Sequence, residues 1–498
     1  MPKQAQDLPL PALILKSGST VPLHRQIYFE IRSAILDGRL RPGTRLPASR
    51  TLAKSLAVSR NTVMSAFDQL TAEGYITGKV GAGSFVPTHL PQELTGTLEQ
   101  RSNTHRDTTL PRYQLRPSKR AASLSAMVQK IEPRVAFAPG LPEVDRFPFK
   151  EWARLLGRHW RRPRKDLLVS TAPGGYPPLC KAITDYLATA RAVFCRPDQV
   201  IITSGSRQAL DLAARVLIDP GDPVWIEDPG YRPTGSVLSA AGARLVPVPV
   251  DDEGLSYADG QRFEPSPRMI CISPSHQYPL GITMSLKRRL ELLEGARETG
   301  SFILEDDYDS EYRYAGRPLA ALQGLDQDGR VIYLGTFSKV MFPGIRLGYM
   351  VVPDHLLDSF LSIRTLIDAH PSSIGQAALA GFIEEGHLAS HIRRMRPLYE
   401  ERQRALITAL GEATNHLTLS PADAGLHLVA RINNGLNDRD IAVNAKKRGI
   451  QAPALSTYFQ GPVQRSGLLL GYAGVDQKDI ARASKELASL LHDLTSKS

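Results

Sequence analysis

Short apolar runs alternate with helical or turn segments from about residue 134 onward, and this alternation most constrains the fold. The runs are QVIITSGS, PVWIED, ARLVPVPV, RMICISP, SFILEDD and RVIYLG. Strands that are buried on both faces are typically this short and this apolar, and helices between them allow parallel pairing. The pattern predicts an α/β domain with a mainly parallel sheet covered by helices on both faces. The helix-rich last third, from about His355, predicts a smaller second lobe.

Length and composition fit a protein of two or three domains. The chain has 498 residues, of which 42% are hydrophobic and 22% charged. No apolar run approaches the roughly 18 residues of a membrane span, and the first residues lack the pattern of a secretory signal. The three cysteines are far apart and show no metal-ligand spacing. We therefore expect a cytoplasmic protein with no membrane partner and no metal.

The positive charge is concentrated in the first quarter of the chain. Residues 1–87 hold 11 Lys and Arg against 5 Asp and Glu, and residues 88–133 hold 7 against 4. The remainder holds 43 against 41, although the whole chain carries +11. This asymmetry indicates a nucleic-acid-binding module joined to a nearly neutral domain. On the charge alone, a basic surface that only improves solubility is an alternative explanation.

Residues 1–87 show the order of a winged helix-turn-helix. The segment 22–36 has apolar residues at every fourth position, which predicts a helix: Leu23, Ile27, Ile31, Ile35. Ser49 is placed to cap a short helix ending at Leu56, and Ser59 to cap a longer one ending at about Glu73. The glycine-rich stretch YITGKVGAGSFV then predicts a two-stranded hairpin, the wing.

In this motif the third helix is the recognition helix, and its first residues face base edges in the major groove. Those residues are Ser59, Arg60, Asn61 and Thr62. Arg suits guanine, Asn suits adenine, and Ser or Thr suits phosphate or either base. Residues placed to contact the DNA backbone are Arg45, Ser49, Arg50 and, in the wing, Lys79. The alternative is a small helical scaffold with solvated charges.

Between this module and the α/β domain, residues 88–133 are rich in Thr, Ser, Arg and Pro and predict a linker.

Lys339, in GTFSKVMFPGIRLGY, follows the apolar run RVIYLG and is a candidate for covalent chemistry. Pyridoxal phosphate requires a lysine that forms a Schiff base and a carboxylate on the pyridine nitrogen. Asp306 follows the apolar run SFIL, where an α/β sheet places its ligands. Asp306 would face the pyridine nitrogen, and Tyr308 would hydrogen-bond the phenolic oxygen.

The cofactor also requires a phosphate cup and a ring to stack on. Hydroxyls, arginines and a helix N-terminus suit a phosphate, and the candidates are Gly205, Ser206, Arg207, Thr336 and Arg346. Tyr231, in EDPGYRP, would stack on the pyridine ring. Each residue alone has an ordinary structural alternative, such as a helix cap or a solvated charge. Their order along the chain favours a pyridoxal 5'-phosphate site.

These segments carry family resemblances. Gly43 to Val86 resembles the winged helix-turn-helix of GntR-type bacterial regulators, and about 134–498 is similar to the fold-type-I, aspartate-aminotransferase-like fold with large and small lobes. The whole chain resembles MocR-type regulators, which fuse the two, through EDPGYRP, SPSHQYPLG, EDDYDSEYRY and FSKVMFPGIRLGY. The resemblance implies an internal aldimine on Lys339 and a head-to-tail homodimer in which Tyr176 reaches the neighbour's phosphate.

Two departures from aminotransferases bear on function. HQYPLG replaces the usual Asn-Pro before Thr-Gly, so His276, Gln277 and Tyr278 occupy that loop. RSGLLLGYAG has leucines where an arginine would grip a substrate carboxylate. Arg232 or Arg465 would then hold the effector, or the effector lacks an α-carboxylate.

Three functions remain open at this point. The first is a regulator that binds double-stranded DNA and senses an amino compound, or the cofactor itself, with at most a slow aminotransferase-type reaction. The second is an active aminotransferase carrying a DNA-binding domain. The third is a DNA-binding dimer that has lost its cofactor, which the set of Lys339, Asp306 and Tyr308 disfavours.

Overall fold

The computed structural model describes residues 15, 20–79, 83–88, 118, 135–169, 172–314, 320–419, 422–433 and 435–496. The chain divides into two compact units, residues 1–115 and 116–498, and each is described by itself. Apart from Thr88 and Ser118, the predicted linker 88–133 lies outside the described residues. Its bounds stay a prediction.

The first unit contains three helices and a hairpin. The elements are α1 (Leu23–Leu36), α2 (Ser49–Ser55), α3 (Arg60–Ala72), β1 (Thr77–Lys79) and β2 (Gly83–Phe85). Strands β1 and β2 pair antiparallel. Apolar residues at helical spacing form a common core that includes Ile27, Ile31, Leu52, Val63 and Leu70. This confirms the predicted order of helix, helix, turn, helix and wing.

The two predicted helix caps had different outcomes. Ser59 caps α3 as predicted, because its Oγ accepts a hydrogen bond from the Thr62 backbone N–H at 3.1 Å. The prediction for Ser49 was wrong, since α2 begins at Ser49 itself. Ala48 is the extended residue before the helix, with φ −57° and ψ 141°, and it has no side-chain oxygen. A capping side chain must come from that extended position.

The large lobe of the second unit is built on an eight-stranded sheet. Its strands are β3 (Val200–Thr203), β4 (Pro223–Asp228), β5 (Arg244–Asp251), β6 (Gly254–Leu255), β7 (Met269–Ile272), β8 (Phe302–Asp307), β9 (Val331–Thr336) and β10 (Gly348–Val351). Their order is β3-β10-β9-β8-β7-β4-β5-β6. Strands β9, β8, β7, β4 and β5 are parallel, whereas β10 is antiparallel to both neighbours and β6 to β5.

Both faces of this sheet are buried. On β4, Val224 and Ile226 belong to one hydrophobic cluster, and Trp225 between them belongs to another. Consecutive strand side chains point to opposite faces, so the two clusters lie on opposite sides of the sheet. This confirms the predicted mainly parallel sheet covered on both faces.

Twelve helices lie among the described residues of this unit. They are α4 (Phe149–Arg161), α5 (Lys165–Leu168), α6 (Pro177–Ala190), α7 (Ser206–Leu217), α8 (Arg232–Ala241), α9 (Tyr257–Phe263), α10 (Leu286–Thr299), α11 (Leu357–Ile367), α12 (Ser373–Glu384), α13 (His387–Ala413), α14 (Asp438–Lys447) and α15 (Gln477–Thr495). In the part of the chain that the structure describes, no helix is long and apolar enough to cross a membrane.

The small lobe has its own antiparallel sheet. Its strands are β11 (Leu417–Thr418), β12 (His427–Ile432) and β13 (Gly467–Gly471), with β12 in the centre. Helices α13 and α15 pack on each other, and Leu406 and Leu487 belong to the same core as Leu470 of β13. The helix-rich last third therefore forms the predicted smaller lobe.

Candidate cofactor and DNA sites

Asp306 and Tyr308 lie at the carboxyl end of β8. The Asp306 Oδ1 atom is buried and has no hydrogen-bond partner among the described residues. Burial, together with the negative charges of Asp307 and Asp309, raises the pKa of Asp306 to about 7, while Lys339 opposes the rise. A buried carboxylate without a donor is costly, and a protonated pyridine nitrogen is a donor that would satisfy it.

Lys339 follows β9 and points its amine into the same region. Its Nζ donates a hydrogen bond to the Gly140 carbonyl at 2.6 Å. A Cβ on Gly140 would lie 2.5 Å from Nζ, so glycine leaves room for the amine. Burial lowers the pKa of Lys339, whereas Asp309 and Asp306 raise it and Arg207 lowers it. A buried lysine with a lowered pKa is the form suited to covalent chemistry with a carbonyl compound.

The predicted phosphate residues come together at the start of α7. Gly205 is the residue before this helix and has φ +106°. The Nη1 atom of Arg346 is 3.6 Å from the position that a Cβ on Gly205 would take. Arg346 lies in the left-handed region at φ +51°. Burial raises the pKa of the Tyr231 hydroxyl, and the nearby charges of Arg207 and Arg346 lower it.

Neither Arg207 nor Arg346 forms an ion pair with a carboxylate among the described residues, and both are exposed. Ser206 is the first residue of α7. Thr336 ends β9, and its Oγ1 accepts a hydrogen bond from the Ser338 N–H at 3.2 Å. Two guanidinium groups without a carboxylate partner among the described residues, beside a helix N-terminus, suit a phosphate. The side chains present therefore fit pyridoxal 5'-phosphate at both its ring and its phosphate ends.

Aromatic rings surround the space next to Tyr231. Its ring centroid is 5.6 Å from that of Tyr278, which occupies the loop of the family's Asn-Pro. Tyr278 in turn lies within 5.9 Å of Tyr308, 5.6 Å of Tyr458 and 5.2 Å of His427. Sequence reasoning placed Tyr278 in this region but missed Tyr458 and His427, because they come from distant segments near the start of the small lobe's strands.

A second missed group is a buried histidine–carboxylate pair. His276 Nδ1 is 3.0 Å from Asp309 Oδ1 and 3.0 Å from the Tyr308 hydroxyl. Glu227, at the end of β4, was also missed. Burial raises its pKa to about 8, with Asp306 adding to the rise, while it accepts hydrogen bonds from Ser273 and Gln277.

The other predicted residues of the second unit are Tyr176, Arg232 and Arg465. Tyr176 is 8% exposed within the core of its own chain, and its backbone N–H donates to Gln376. Arg232 is exposed at the start of α8, and its charge acts on Tyr458. Arg465 lines a cleft of about 760 Å³ together with His427 and the loop 279–283. The proposed roles of all three stay predictions.

In the first unit, the predicted DNA-contacting residues lie at the start of α3 and near the wing. Arg60 and Asn61 are exposed, while the hydroxyls of Ser59 and Thr62 are 2.8 Å apart and hydrogen-bonded. Arg50 is exposed, and Ser49 is half-buried in α2. Arg45 pairs with Phe85 in a β-bridge, and its guanidinium lies over the Phe85 ring. Lys79 is in β1, but its side chain lies outside the described residues.

In comparisons with known proteins, two separate segments of the chain match two families. Residues 23–86 match the bacterial regulatory proteins of the gntR family, and residues 142–469 match the aminotransferase class I and II family. The probable rhizopine catabolism regulatory protein MocR of Rhizobium meliloti is 43% identical over 96% of this chain and 95% of its own length. The pyridoxine biosynthesis regulator PdxR of Corynebacterium glutamicum is 29% identical over 97% of this chain and 98% of its own.

Solved structures match the second unit. The α-aminoadipate aminotransferase LysN of Thermus thermophilus, complexed with N-(5'-phosphopyridoxyl)-L-leucine, is 28% identical. The two structures superpose with a TM-score of 0.68, and the match covers 73% of this chain and 93% of the LysN chain. The chain therefore belongs to the MocR-type transcriptional regulators of the GntR family, in which a DNA-binding winged helix is joined to a pyridoxal 5'-phosphate-binding, fold-type-I aminotransferase domain.

Proposed function

We propose that this protein is a sensor that holds pyridoxal 5'-phosphate on Lys339 and changes its DNA binding when an amino compound, or the cofactor itself, occupies the site. The observation that carries the proposal is the partly buried Lys339 amine near the Asp306 carboxylate, whose Oδ1 has no partner among the described residues. When bound, the cofactor supplies an aldehyde that accepts a primary amine and a ring that withdraws electrons.

The side chains around Lys339 have separate tasks in this proposal. Asp306 holds a proton at the pyridine nitrogen, Tyr308 donates to the phenolic oxygen, and Tyr231 packs against the ring. The phosphate is bound by Gly205, Ser206, Arg207, Thr336 and Arg346. Lys339 supplies the attacking amine, because its lowered pKa increases the unprotonated fraction near neutral pH.

The composition of β13 supports effector binding without efficient turnover. Leu468, Leu469 and Leu470 of β13 are buried and provide no cation for a carboxylate. Fast transamination requires a substrate held so that the bond to be broken is correctly oriented, which contributes orders of magnitude in rate. We infer an effector amine that is held loosely by Arg232 or Arg465, or one that lacks an α-carboxylate. The relatives are named as regulators of different pathways, rhizopine catabolism and pyridoxine biosynthesis.

The DNA side of the proposal follows from the exposed start of α3. Arg60 and Asn61 read bases, helped by Ser59 and Thr62, and Arg45, Ser49, Arg50 and Lys79 contact the backbone. We propose a cytoplasmic, head-to-tail homodimer in which Tyr176 of each chain completes the neighbour's phosphate site. Residues 1–87 then act as the reader, 88–133 as the linker and 134–498 as the sensing and dimerisation domain. In a dimer, the spacing of two readers selects the half-sites that can be bound together.

An active aminotransferase is the second candidate, and the complete set of Lys339, Asp306 and Tyr308 favours it. The discriminating experiment measures three quantities on one preparation: covalent attachment of the cofactor, affinity for DNA from the upstream intergenic region, and 2-oxo acid formed from a panel of amines and amino acids. The sensor requires attachment at Lys339 and a change in DNA affinity with little product. Sustained turnover at about 1–1000 per second would instead establish the enzyme.

A further inference from the structure

A buried histidine and aspartate lie against Tyr308, and the functions above leave both unused. His276 Nδ1 is 3.0 and 3.1 Å from the two Asp309 carboxylate oxygens and 3.0 Å from the Tyr308 hydroxyl. His276 is 2% exposed and Asp309 is 1% exposed. Three polar groups therefore meet at one nitrogen atom in a dry environment.

The hydrogen-bond chemistry limits how the protons are arranged. An ionised carboxylate only accepts hydrogen bonds, so His276 Nδ1 must carry a proton to face Asp309 favourably. An Nδ1 lone pair directed at that carboxylate would be repulsive. A protonated Nδ1 cannot accept a hydrogen bond from Tyr308. The Tyr308 oxygen is therefore the acceptor in this contact, and Nδ1–H is the donor. The Tyr308 proton is then free to point elsewhere.

The imidazole is held in place by two glycines from different lobes. A Cβ on Gly425, just before β12, would lie 2.0 Å from His276 Cε1. A Cβ on Gly281 would lie 3.2 Å from His276 Nε2. Both glycines have positive φ, +97° and +76°. The ring therefore has little freedom to rotate away from Asp309 and Tyr308.

We propose that His276 and Asp309 form a positioning pair that directs the Tyr308 hydroxyl proton toward the cofactor's phenolic oxygen. The pair acts through Tyr308, so this inference rests on the function proposed for that residue. Asp309 orients the imidazole, and the Nδ1–H, shared between the Asp309 carboxylate and the Tyr308 oxygen, leaves the Tyr308 proton unused by His276. Tyr308 then donates its own proton into the site.

The charges around the pair are compatible with this role. Burial and the charge of Asp309 raise the pKa of Tyr308 well above its usual value, so its hydroxyl stays a donor. Asp306 also faces Tyr308 and, like Asp309, acts on Lys339. From the small lobe, His427 lies 5.4 Å from the His276 ring, and burial lowers its pKa to about 3. His427 is therefore neutral in the working range.

The first test titrates the visible absorbance band of the full-length protein with bound cofactor. A hydrogen bond to the phenolic oxygen favours its negative form, so losing that bond raises the midpoint. His276→Leu should raise the midpoint by roughly one pH unit, the size expected for one buried hydrogen bond. His276→Asn, whose amide can replace the Nδ1–H, should restore it, and His492→Gln, on the exposed surface of α15, should leave it nearly unchanged.

A double substitution separates positioning from a general structural effect. In a Tyr308→Phe background, His276→Leu should cause no further shift, because the hydroxyl it positions is gone. Additive shifts from the two substitutions, or an unchanged midpoint in His276→Leu, would overturn the proposal.

The second test needs neither a cofactor nor a variant that must stay active. In cofactor-free protein with ¹⁵N-labelled histidine, the His276 signal is assigned by its loss in His276→Asn. The proposal requires a protonated Nδ1, and an unprotonated Nδ1 overturns it. Failure to trap cofactor on Lys339 by borohydride would reject the proposed function instead, so the two failures are distinguishable.

Discussion

Asp306→Asn should stabilise the cofactor-free protein while weakening cofactor binding. The wild-type carboxyl is buried beside Asp307 and Asp309, and its Oδ1 has no partner among the described residues. Asparagine has nearly the same shape and carries no charge, so it avoids the cost of burying an ionised group. It cannot, however, hold a proton on the pyridine nitrogen. Stability and binding should therefore change in opposite directions.

The magnitude follows from the pKa of Asp306. Burial raises it from 3.8 to about 7, and at about 1.4 kcal/mol per pH unit this is roughly 4 kcal/mol. The folded state binds the Asp306 proton up to about pH 7, whereas the unfolded chain releases it near pH 4. The folded state thus holds more protons between these values, and wild-type stability falls as pH rises through this window. Above about pH 7 the variant should gain up to roughly 4 kcal/mol over the wild type, and below about pH 4 almost nothing.

Denaturant unfolding of cofactor-free wild type and Asp306→Asn, at about pH 4 and about pH 8, measures this difference. Asp252→Asn is a matched control on the surface, and its effect should stay within about 0.5 kcal/mol. The pKa of Glu227 is also raised, to about 8, and the charge of Asp306 contributes to that rise. Removing this charge in Asp306→Asn would therefore add to the gain in stability. An equal difference at both pH values would refute the argument that desolvation of Asp306 is the cause. Destabilisation at about pH 8 would refute it too.

Three further predictions concern other parts of the chain. Ser59→Ala should lower the free energy of unfolding of the winged-helix unit by about 1 kcal/mol through the lost cap, measured by denaturant unfolding, and Ser55→Ala, outside the cap, is a control. Arg346→Gln should reduce the preference for pyridoxal phosphate over pyridoxal, because the proposed function gives Arg346 a contact with the phosphate and none with the ring; equal loss for both ligands in equilibrium binding would contradict this. Arg60→Ala should cost roughly 1–3 kcal/mol on the preferred DNA and little on random DNA, whereas Arg50→Ala should weaken both and flatten the salt dependence.

Much of the fold could be predicted because the signals are local. The six apolar runs became β3, β4, β5, β7, β8 and β9, since strands buried on both faces must be apolar throughout. Short antiparallel β10 went unrecognised within the segment that carries Lys339, because its four residues resemble the rest of that apolar stretch. The prediction of a Ser49 cap was wrong for a different reason. Serine is favoured at the extended residue before a helix, but in α2 that residue is Ala48.

The candidate site was predicted from the order of several residue types along the chain, since each type alone has other common uses. Lys339, Asp306 and the residues at the start of α7 were predicted in this way. The His276–Asp309 pair was not predictable, because it depends on a contact between residues 33 positions apart and on glycines at 281 and 425. The cluster of Tyr278, Tyr458 and His427 likewise arises only when the small lobe packs against the large one.

The most direct test of the account is the DNA affinity of wild type and Lys339→Ala, measured on upstream intergenic DNA with and without pyridoxal phosphate and a panel of amines. The account predicts that the wild type changes affinity by about tenfold or more, or roughly 1.4 kcal/mol of coupling, and that Lys339→Ala binds DNA but gives no response. An identical response in both proteins, or no response of the wild type to the cofactor and the amines, would contradict it.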